Sequence, residues 1–355
     1  MKIAMTGGGT SGHVTPNIAL FPGLWKNGFE IIYIGTRDGL EYNLITSEGI
    51  PFFEIQAGKL RRYIDIENIK DISKVCKGFF QAYKILKKER PDIIFSKGGF
   101  VSCPVVWAAA RLNIPVVLHE SDYTPGLANK ISAPFATKIC YAFPETVKYL
   151  PHEKSVYTGL PVRNELKEGD VFKARQFCGF LDDKPLLTVI GGSLGSAYLN
   201  EIVRANLEDL LEIFNICHIC GKGKVEETLL NINGYCQLEY VSEELKDIFT
   251  ATDMFVSRAG ATVIFELLSL NKPMLLIPLS KRASRGDQIL NASSFSKCGY
   301  AEYAEEEDLT VKKFFDKVLG VYKNRKNYIE NQQNADVFKS ADKVINVINS
   351  VIKEK

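Results

Sequence analysis

The chain has 355 residues, of which 46% are hydrophobic and 24% are charged, and its formal net charge at pH 7 is +2. This length predicts two domains that each bury a core, and the small net charge gives no sign of nucleic-acid binding. The eight cysteines are scattered through apolar segments, and the one close pair, in Cys217-His218-Ile219-Cys220, lies in a predicted strand with no second ligand pair at zinc spacing. We therefore expect buried free thiols in a reducing cytoplasm, and no metal site.

The first element in chain order is a short apolar run, Ile3–Met5, that leads into Gly-Gly-Gly-Thr-Ser-Gly-His at residues 7–13. Glycines allow the backbone to approach an anion closely, and a following helix N-terminus offers free N–H groups. Thr15 as N-cap and Pro16 as the first helical residue predict that a helix begins here. We interpret this segment as a phosphate-handling element in which Thr10–His13 is an exposed loop.

The same glycines match the Gly-x-Gly-x-x-Gly pattern of dinucleotide-binding folds. Such folds place an acidic residue near the end of the second strand, where it binds a ribose. Here the second apolar run, Ile31–Ile34, leads into Gly-Thr-Arg-Asp at 35–38, which is not a clear match. The dinucleotide interpretation therefore stays open only as the less favoured alternative.

His13 lies between this glycine loop and the predicted helix, a position poorly suited to packing in a core. Histidine can accept a proton near neutral pH, so we interpret His13 as an active-site residue and as the general base for a hydroxyl acceptor. A histidine that only shapes the loop is the alternative.

Residues 59–90 contain ten Lys or Arg and four Asp or Glu residues, a local net charge of +6. On a helical wheel the apolar side chains form one stripe, which we expect to pack on the sheet, and lysines gather on the opposite side. The stripe consists of Ile69, Ile72, Cys76, Phe79, Tyr83 and Leu86, and the lysines are Lys70, Lys74, Lys77, Lys84 and Lys88.

The segment just before this helix, Leu60-Arg61-Arg62-Tyr63-Ile64, combines apolar and basic side chains in a predicted loop. It suits shallow insertion among anionic lipids, with Lys74 and Lys77 directed at the headgroups. An ordinary solvated face is the alternative. Because no apolar run approaches the roughly 20 residues that span a bilayer, and no secretion signal is evident, we expect peripheral contact at the cytoplasmic face of the membrane.

Further apolar runs alternate with helical stretches through both halves of the chain. Their continuous apolar character predicts parallel strands covered on both faces, and hence two doubly wound α/β domains. The runs are Ile31–Ile34, Ile93–Phe95, Val116–Leu118, Lys138–Tyr141, Leu186–Ile190, Ile216–Ile219, Met254–Val256 and Met274–Ile277. We place the domains at 1–160 and 161–355, divided at the turn-rich segment 157–163, with the last helix (about 335–355) as a candidate to pack back on the N-terminal domain.

Ligands of open α/β sheets bind outside the carboxyl ends of the strands. Polar or glycine-rich segments follow the predicted strands of both halves, and we expect them to face one cleft. Besides residues 7–13, they are Ser96–Gly99, His119–Asp122, Gly191–Ser196, Ser257–Gly260 and Ser280–Gln288.

Three single residues in or near these segments have both a functional and a structural interpretation. We interpret His119 as a hydrogen-bonding group rather than a catalyst. Arg163 suits a guanidinium that binds a diphosphate together with Ser193, and a salt bridge between the domains is the alternative. Glu266 lies within the otherwise apolar helix 262–268. A carboxylate there must be paired or functional, so it either accepts hydrogen bonds from a ribose diol or forms an internal ion pair.

Taken in order, these segments resemble the bacterial lipid I N-acetylglucosaminyltransferases, members of the GT-B glycosyltransferase group. The resemblance spans residues 7–292, and each segment alone is weak evidence while the ordered set is specific. The matching segments are Gly7–Pro16, His119–Asn129, Thr158–Arg163, Gly191–Gly195, Arg258–Ala261 with Glu266, and Gln288–Ala292.

The resemblance implies an α/β fold of two doubly wound Rossmann-like domains facing a cleft, with C-terminal helices. It implies the inverting transfer of N-acetylglucosamine from its UDP donor to the muramyl 4-hydroxyl of undecaprenyl-diphosphate-muramoyl-pentapeptide, the lipid I acceptor, in peptidoglycan synthesis. No cofactor is implied, and the partners are these two substrates and anionic lipids of the inner leaflet.

By position, the resemblance also implies site residues. Arg163 and Ser193 hold the donor diphosphate, Glu266 binds the ribose and the backbone of Val241 reads the uracil. Gln288 and the segment Thr10, Ser11, Gly12 contact the sugar, and His13 is the base or an acceptor-site group. Asp122 stands where relatives often carry Asn, and Asp287 precedes Gln288 where many have two glutamines. The chain therefore departs from the family pattern at Asp122 and within residues 281–288.

Three other functions are compatible with the motifs. A related GT-B enzyme with another lipid or small-molecule acceptor has the same loops. A UDP-N-acetylglucosamine epimerase needs no lipid surface, so the basic segment disfavours it. A non-catalytic UDP-sugar-binding subunit is disfavoured because His13, Arg163 and Glu266 occur together.

Overall fold

The computed structural model describes residues 1–58, 66–192, 194–282, 285–336 and 339–354, with backbone alone for 66–72. By its internal contacts the chain divides into two compact units. Unit 1 comprises Met1–Arg163 and Lys339–Lys355, and unit 2 comprises Asn164–Phe338. The C-terminal segment therefore belongs to the same unit as the N-terminus.

Among its described residues, unit 1 contains a seven-stranded parallel sheet in the order β3-β2-β1-β4-β5-β6-β7. The strands are β1 (Lys2–Thr6), β2 (Glu30–Gly35), β3 (Phe52–Glu54), β4 (Ile93–Ser96), β5 (Val116–Glu120), β6 (Lys138–Tyr141) and β7 (Ser155–Tyr157). The central strands are almost entirely buried because helices cover both faces of the sheet.

Six helices of unit 1 precede the boundary, and the first five of them contribute to two hydrophobic clusters with this sheet. They are α1 (Thr15–Ile18), α2 (Phe21–Lys26), α3 (Leu40–Ser47), α4 (Ile66–Glu89), α5 (Ser102–Arg111) and α6 (Leu127–Ser132). Short 3-10 turns occur at Ser11–His13, Ala133–Phe135, Pro144–Tyr149 and His152–Lys154.

Unit 2 repeats the architecture with a six-stranded parallel sheet in the order β10-β9-β8-β11-β12-β13, counted over its described residues. The strands are β8 (Leu186–Ile190), β9 (Asn215–Ile219), β10 (Tyr235–Leu238), β11 (Met254–Ser257), β12 (Met274–Leu276) and β13 (Glu302–Tyr303). The helices are α7 (Val171–Cys178), α8 (Ala197–Arg204), α9 (Leu207–Leu211), α10 (Leu245–Ala251), α11 (Ala261–Ser269), α12 (Asp287–Lys297), α13 (Val311–Lys323) and α14 (Arg325–Gln333). Short 3-10 turns occur at Asn164–Lys167, Glu227–Leu229 and Glu306–Asp308.

The last helix, α15 (Ser340–Lys353), packs against unit 1. Its buried residues recur at the helical spacing Val344, Ile345, Ile348 and Val351, and they join the cluster that contains Leu20 and Leu24. Its amphipathic pattern therefore places one apolar face on the sheet and helices of the N-terminal fold.

Both sheets change the direction of strand order once, between β1 and β4 in unit 1 and between β8 and β11 in unit 2. At such a point the loops that follow the two strands turn to opposite faces and leave a crevice at the carboxyl edge. In both units a glycine-rich segment follows the first strand of the pair, at residues 7–9 and 191–195. The fold thus places each glycine segment where open α/β sheets bind ligands.

The predicted α/β class is confirmed, and each of the eight apolar runs lies on a strand. Sequence reasoning missed the strands β3, β7, β10 and β13, which are short and partly exposed. It also misassigned Thr15, because Val14 is the N-cap of α1 and the hydroxyl of Thr15 donates instead to the Ser11 carbonyl at 3.0 Å. Residues Ser11–His13 form a 3-10 turn rather than an open loop.

The predicted apolar stripe of α4 is only partly correct. Leu86 is buried, and Phe79 and Tyr83 are half-buried, but Cys76 is exposed. The buried face is shifted toward Val75 and Ala82, because α4 packs closely on the chain at Gly78, where a Cβ would collide with the Gln56 carbonyl. Within the described residues, no helix has the length and apolar character needed to cross a membrane.

Candidate functional site

The first glycine segment of unit 1 is tied to the neighbouring strand and helix through its backbone. The hydroxyl of Tyr33 on β2 donates to the Gly7 carbonyl at 2.7 Å. The N–H of Gly9 donates to Oε2 of Glu41 at 3.3 Å, and Glu41, in the first turn of α3, is fully buried. Sequence reasoning missed Glu41. The feature of the sequence that could have identified Glu41 is a single acidic residue between Gly39 and the apolar positions of a short helix.

His13 lies at the end of the 3-10 turn and is half-buried. Its Nδ1 lies 3.0 Å from the hydroxyl oxygen of Thr10. Gly99 lies near the same nitrogen: its φ is +79°, and an added Cβ would lie 3.3 Å from Nδ1 and would collide with the Gly8 carbonyl. A side chain at position 99 therefore cannot fit without displacing the first glycine segment, and the loops after β1 and β4 pack backbone against backbone. Ser11 and Gly12 are half-buried and Thr10 is exposed.

A buried lysine lies at this carboxyl edge of the sheet. Lys97 follows β4, is 1% exposed, and its Nζ lies 3.1 Å from Nδ1 of His119 and also contacts the hydroxyl of Ser121. Burial lowers the pKa of Lys97 to about 8, while the charges of Glu120 and Asp122 oppose that shift. Sequence reasoning placed this lysine in a site segment but assigned it no role.

His119 is held as a neutral hydrogen-bonding group. Burial and the nearby Lys97 charge hold the pKa of His119 well below its usual value. Its Nδ1 faces the Lys97 ammonium, so Nε2 carries the proton and donates to the Gly159 carbonyl at 2.9 Å. This geometry supports the interpretation of His119 as a hydrogen-bonding residue, and it connects β5 to the segment that leads to Arg163.

Glu120 organises the loop after β5 that contains Asp122. Its carboxylate accepts the N–H of Asp122 at 3.0 Å, the N–H of Gly126 at 3.0 Å and the amide of Asn129 at 2.8 Å. Burial and the charge of Asp122 raise the pKa of Glu120, and the hydrogen bonds from Asn129 and from the Asp122 N–H oppose the shift. Asp122 itself is half-buried, and Arg163, the last residue of unit 1 before the boundary, is also half-buried.

In unit 2 the second glycine segment follows β8 and leads directly to α8. Ser193 lies outside the described residues. Ser196 is the N-cap of α8, and its hydroxyl oxygen accepts the N–H of Leu199 at 3.2 Å. Gly195, with a φ of +67°, packs so closely on the Cys220 carbonyl that no Cβ fits there. The start of α8 is therefore locked against the end of β9.

Arg258 connects this start of α8 to the rest of the edge. Its Nη2 donates to the Ser196 hydroxyl at 2.5 Å and pairs with Glu306, and its Nη1 donates to the carbonyls of Ile277 and Pro278 at 3.0 and 3.1 Å. The side chain is buried. The guanidinium thus fastens the ends of β11 and β12 to the N-cap of α8.

Gln288, in the first turn of α12, joins the same edge. Its Oε1 accepts the N–H of Ala259 at 3.3 Å and the N–H of Leu279 at 3.1 Å. Two backbone donors identify that atom as oxygen, so Nε2 carries the donors that remain for a ligand. Asn291 adds a hydrogen bond to the Ala259 carbonyl at 3.1 Å. The N-termini of α8, α11 and α12 therefore converge on one point of unit 2.

The other predicted donor residues lie on or near these elements. Glu266 is on α11, 5% exposed, and its neighbour Phe265 packs edge-to-face on Phe295 of α12 at 5.2 Å. Val241 is buried in the segment before α10. Asp287, where the chain departs from the family pattern, forms an ion pair with Arg285 at 2.9 Å at the start of α12.

The cysteines of the Cys217-His218-Ile219-Cys220 segment are buried, and four of the other six are buried or half-buried. All eight cysteines lie within the described residues and none forms a disulfide, but Cys76 and Cys298 are exposed, which contradicts the expectation of burial. His218 lies in β9 between the Tyr235 hydroxyl at 2.8 Å and Oδ1 of Asn200 at 3.0 Å, and burial lowers its pKa to about 3. Within the described part of the chain, no group of these residues is arranged to hold a metal ion.

Of the predicted membrane residues, Lys74 and Lys77 are on α4 and both are exposed. The adjacent Phe80 is 64% exposed. Leu60, Arg61, Arg62, Tyr63 and Ile64 lie outside the described residues.

Comparison with known proteins covers both units. Residues 3–141 match the family model described as the glycosyltransferase family 28 N-terminal domain, and residues 186–347 match the glycosyltransferase family 28 C-terminal domain. The chain is 55% identical over 347 residues to the UDP-N-acetylglucosamine–N-acetylmuramyl-(pentapeptide) pyrophosphoryl-undecaprenol N-acetylglucosamine transferase of Clostridium tetani, covering 98% of this chain and 97% of the relative. It is 54% identical to the protein of that name from Clostridium botulinum, with 99% of each chain covered.

Solved structures also match this chain over nearly its whole length. The crystal structure of Acinetobacter baumannii MurG matches with a TM-score of 0.74 and 26% identity, covering 98% of this chain and 99% of that one. A UDP-GlcNAc 2-epimerase from Neisseria meningitidis matches with a TM-score of 0.72 over 99% of this chain and 100% of its own, but at 12% identity it shows a shared fold alone.

Proposed function

The chain belongs to glycosyltransferase family 28, and from that membership we propose its reaction. It transfers N-acetylglucosamine from UDP-N-acetylglucosamine to the muramyl 4-hydroxyl of undecaprenyl-diphosphate-muramoyl-pentapeptide, with inversion, to complete the peptidoglycan repeat unit. The observation that carries the proposal is the 55% identity, over nearly all of both chains, to a relative that is named for this transfer.

The donor binds in unit 2, where three helix N-termini converge. Helix N-termini stabilise anions through free N–H groups and the helix dipole, so this point suits the UDP diphosphate. Ser193 and Arg163 contact the diphosphate, Glu266 accepts hydrogen bonds from the ribose hydroxyls, and the backbone of Val241 reads the uracil. These roles are proposed from the family motifs, and the location of Glu266 on α11, one of the converging helices, supports its role.

The sugar of the donor is read by the Nε2 group of Gln288. Its Oε1 is occupied by two backbone N–H groups, so the amide has one fixed orientation and offers donors to sugar oxygens. From the family motifs, Thr10, Ser11, Gly12 and Asp122 are further proposed sugar contacts. The fixed amide orientation supports a selective contact, because a rotated amide would lose both backbone hydrogen bonds.

His13 is the general base for the acceptor hydroxyl. When its Nδ1–H donates to the Thr10 hydroxyl oxygen, Nε2 carries the lone pair that accepts a proton. The 4-oxygen of the acceptor attacks the anomeric carbon, the bond to the UDP oxygen breaks, and the acceptor proton passes to Nε2 of His13. The leaving diphosphate is stabilised by Arg163 and by the helix N-termini of unit 2.

The acceptor has a lipid tail, so the enzyme works as a peripheral protein at the cytoplasmic face of the membrane. Lys74 and Lys77 are exposed on α4 beside the exposed ring of Phe80. Basic side chains near an apolar one suit an anionic lipid surface. Leu60, Arg61, Arg62, Tyr63 and Ile64 precede this helix and belong to the same proposed surface.

The proposed reaction is tested with UDP-N-acetylglucosamine labelled in the sugar and a lipid I analogue. Label should move to the lipid fraction only when both substrates and the protein are present. The donor without the acceptor controls for hydrolysis and for epimerisation to N-acetylmannosamine. Label that stays in the aqueous fraction, or that appears there as N-acetylmannosamine, contradicts the proposal.

A further inference from the structure

Glu41 is a fully buried carboxylate inside unit 1. Its Oε2 accepts the N–H of Gly9, and its Oε1 accepts both the N–H of Thr36 at 3.2 Å and the hydroxyl of Thr36. A buried carboxylate is costly unless donors surround it, and here three donors converge on two oxygens. Glu41 is therefore built into the connection between the first glycine segment and the end of β2.

The surrounding glycines leave space for this carboxylate. A Cβ on Gly8 would lie 2.6 Å from Cδ of Glu41, and a Cβ on Gly35 would lie 3.1 Å from its Cγ. A Cβ on Gly39 would overlap the carboxylate. Because glycines from the loop, the strand and the helix start all face one carboxylate, the first glycine segment is shaped around Glu41.

Glu41 also uses a donor that glycine loops of this kind direct at ligand phosphates. The Gly9 N–H points to Oε2 of Glu41, so a protein carboxylate stands where a ligand anion would otherwise accept this donor. Gly9 is followed directly by residues 10–13, within which the Thr10 hydroxyl contacts the imidazole of His13. Holding Gly9 therefore determines where the turn that contains His13 begins.

We propose that Glu41 is a positioning residue of the transfer reaction. Its carboxylate fixes Gly9, and through the 3-10 turn it fixes the His13 imidazole at the acceptor hydroxyl. Glu41 touches neither substrate. This inference rests on the proposed function, because the reaction is what makes the His13 position matter.

The substitution Glu41→Gln separates this role from general packing. An amide has the same shape as the carboxylate but only one acceptor oxygen. If that oxygen faces the two Thr36 donors, the NH2 group faces the N–H of Gly9 and repels it. The variant therefore releases Gly9 while the contacts to Thr36 persist.

The expected kinetic result is a loss in kcat with little change in the donor KM. We expect kcat to fall by about 10- to 100-fold, since displacement of a reacting group by about 1 Å has effects of that order. The donor KM should stay within about twofold, because only the sugar contacts of Thr10, Ser11 and Gly12 involve this turn, while the proposed diphosphate, ribose and uracil contacts lie elsewhere. Glu48→Gln, on the exposed end of the same helix, is the matched control. Thr36→Val, which removes one donor to Glu41, should give a smaller loss in kcat and serves if Glu41→Gln does not fold.

A double-mutant cycle tests whether Glu41 acts through His13. In a His13→Ala background, Glu41→Gln should lower the residual kcat by no more than about twofold. If Glu41→Gln lowered kcat by the same factor in the His13→Ala background as in the wild type, Glu41 would act independently of His13. That result would overturn the inference.

Histidine NMR supplies a readout that does not depend on activity. The chain has four histidines, and Glu41→Gln should shift the ring signals of His13 while those of the exposed His152 stay in place. If wild-type protein shows no transfer to lipid I, the proposed function fails, yet these signals still test the hold of Glu41 on His13. If wild-type protein transfers and Glu41→Gln has normal kcat and unchanged His13 signals, the inference is wrong.

Discussion

The ammonium nitrogen of Lys97 lies 3.1 Å from Nδ1 of His119, and both side chains are completely buried. The contact joins the loop after β4 to the end of β5. Since His119 in turn donates to the Gly159 carbonyl, a buried cation determines the orientation of an imidazole that holds the segment leading to Arg163. Lys97 thus supports the carboxyl edge of the sheet in unit 1.

Lys97 should make stability depend on pH in a defined direction. Burial lowers its pKa from 10.5 to about 8, so between these values the unfolded chain binds more protons at this lysine than the folded chain does. The free energy of unfolding therefore rises with pH in that window, by at most about 1.4 kcal/mol per pH unit. Below pH 8 both states are protonated and this contribution to the pH dependence ends.

Lys97→Met removes this titration while keeping a side chain of similar length. We expect the wild-type free energy of unfolding, relative to the variant, to rise by about 2 kcal/mol between pH 7.5 and pH 9.5. Urea unfolding at a series of pH values measures it. Parallel pH curves for the two proteins would show that Lys97 is not held with a lowered pKa.

Glu266→Ala should raise the donor KM far more than it lowers kcat. A ribose contact is made equally in the ground state and the transition state, so its loss weakens binding alone. Loss of hydrogen bonds to a charged acceptor costs about 1.5–3 kcal/mol, or roughly 10- to 150-fold in KM. The donor KM of Glu266→Gln should lie between those of wild type and Glu266→Ala. The donor KM of Glu208→Ala, a change at an exposed helical position, should match that of wild type. An unchanged donor KM in a folded Glu266→Ala protein would favour an internal ion pair instead.

His13→Ala should lower kcat by roughly 10²- to 10⁴-fold if His13 is the general base. UDP affinity, measured by calorimetry, should be nearly unchanged because the proposed UDP contacts, Arg163, Ser193, Glu266 and Val241, do not include His13. Thr10→Val, which removes the partner of Nδ1, should lower kcat less. Near-normal kcat in His13→Ala would leave His13 as a structural part of the turn, and a large loss of UDP affinity would assign it to the donor site.

Charge reversal at the proposed lipid surface should abolish membrane binding. Each basic residue near an anionic surface contributes about 1 kcal/mol, and salt weakens the effect. Changing Arg61, Arg62, Lys74 and Lys77 to Glu should therefore prevent sedimentation with anionic liposomes, while turnover of a short-chain soluble acceptor persists.

The matched control for this surface changes the exposed lysines Lys312, Lys313, Lys323 and Lys326 of unit 2 to Glu, which alters the total charge equally. That variant should still sediment with anionic liposomes. If the unit 1 variant binds liposomes like the parent protein, α4 and its preceding segment are merely solvated and the docking surface lies elsewhere.

The strands with continuous apolar runs and the glycine segments after β1 and β8 were predictable, because a buried parallel strand and a close backbone approach each leave a local pattern. Glu41 and Lys97 were not assigned roles, because their partners are distant in sequence. Glu41 meets Gly9 across 32 residues, and Lys97 meets His119 across 22. Arg258 was placed in a site segment, but its contact with Ser196 spans 62 residues and depends on the fold.

The linkage of the transferred sugar tests the central claim most directly. Product from UDP-N-acetylglucosamine and a lipid I analogue can be isolated, and NMR of its disaccharide identifies the anomeric configuration and the oxygen that carries the new sugar. We predict N-acetylglucosamine in β-linkage to the 4-oxygen of the muramyl residue, since direct displacement inverts the α-linked donor. A product with α-linkage, attachment at another oxygen, or an unmodified acceptor beside consumed donor would contradict the account.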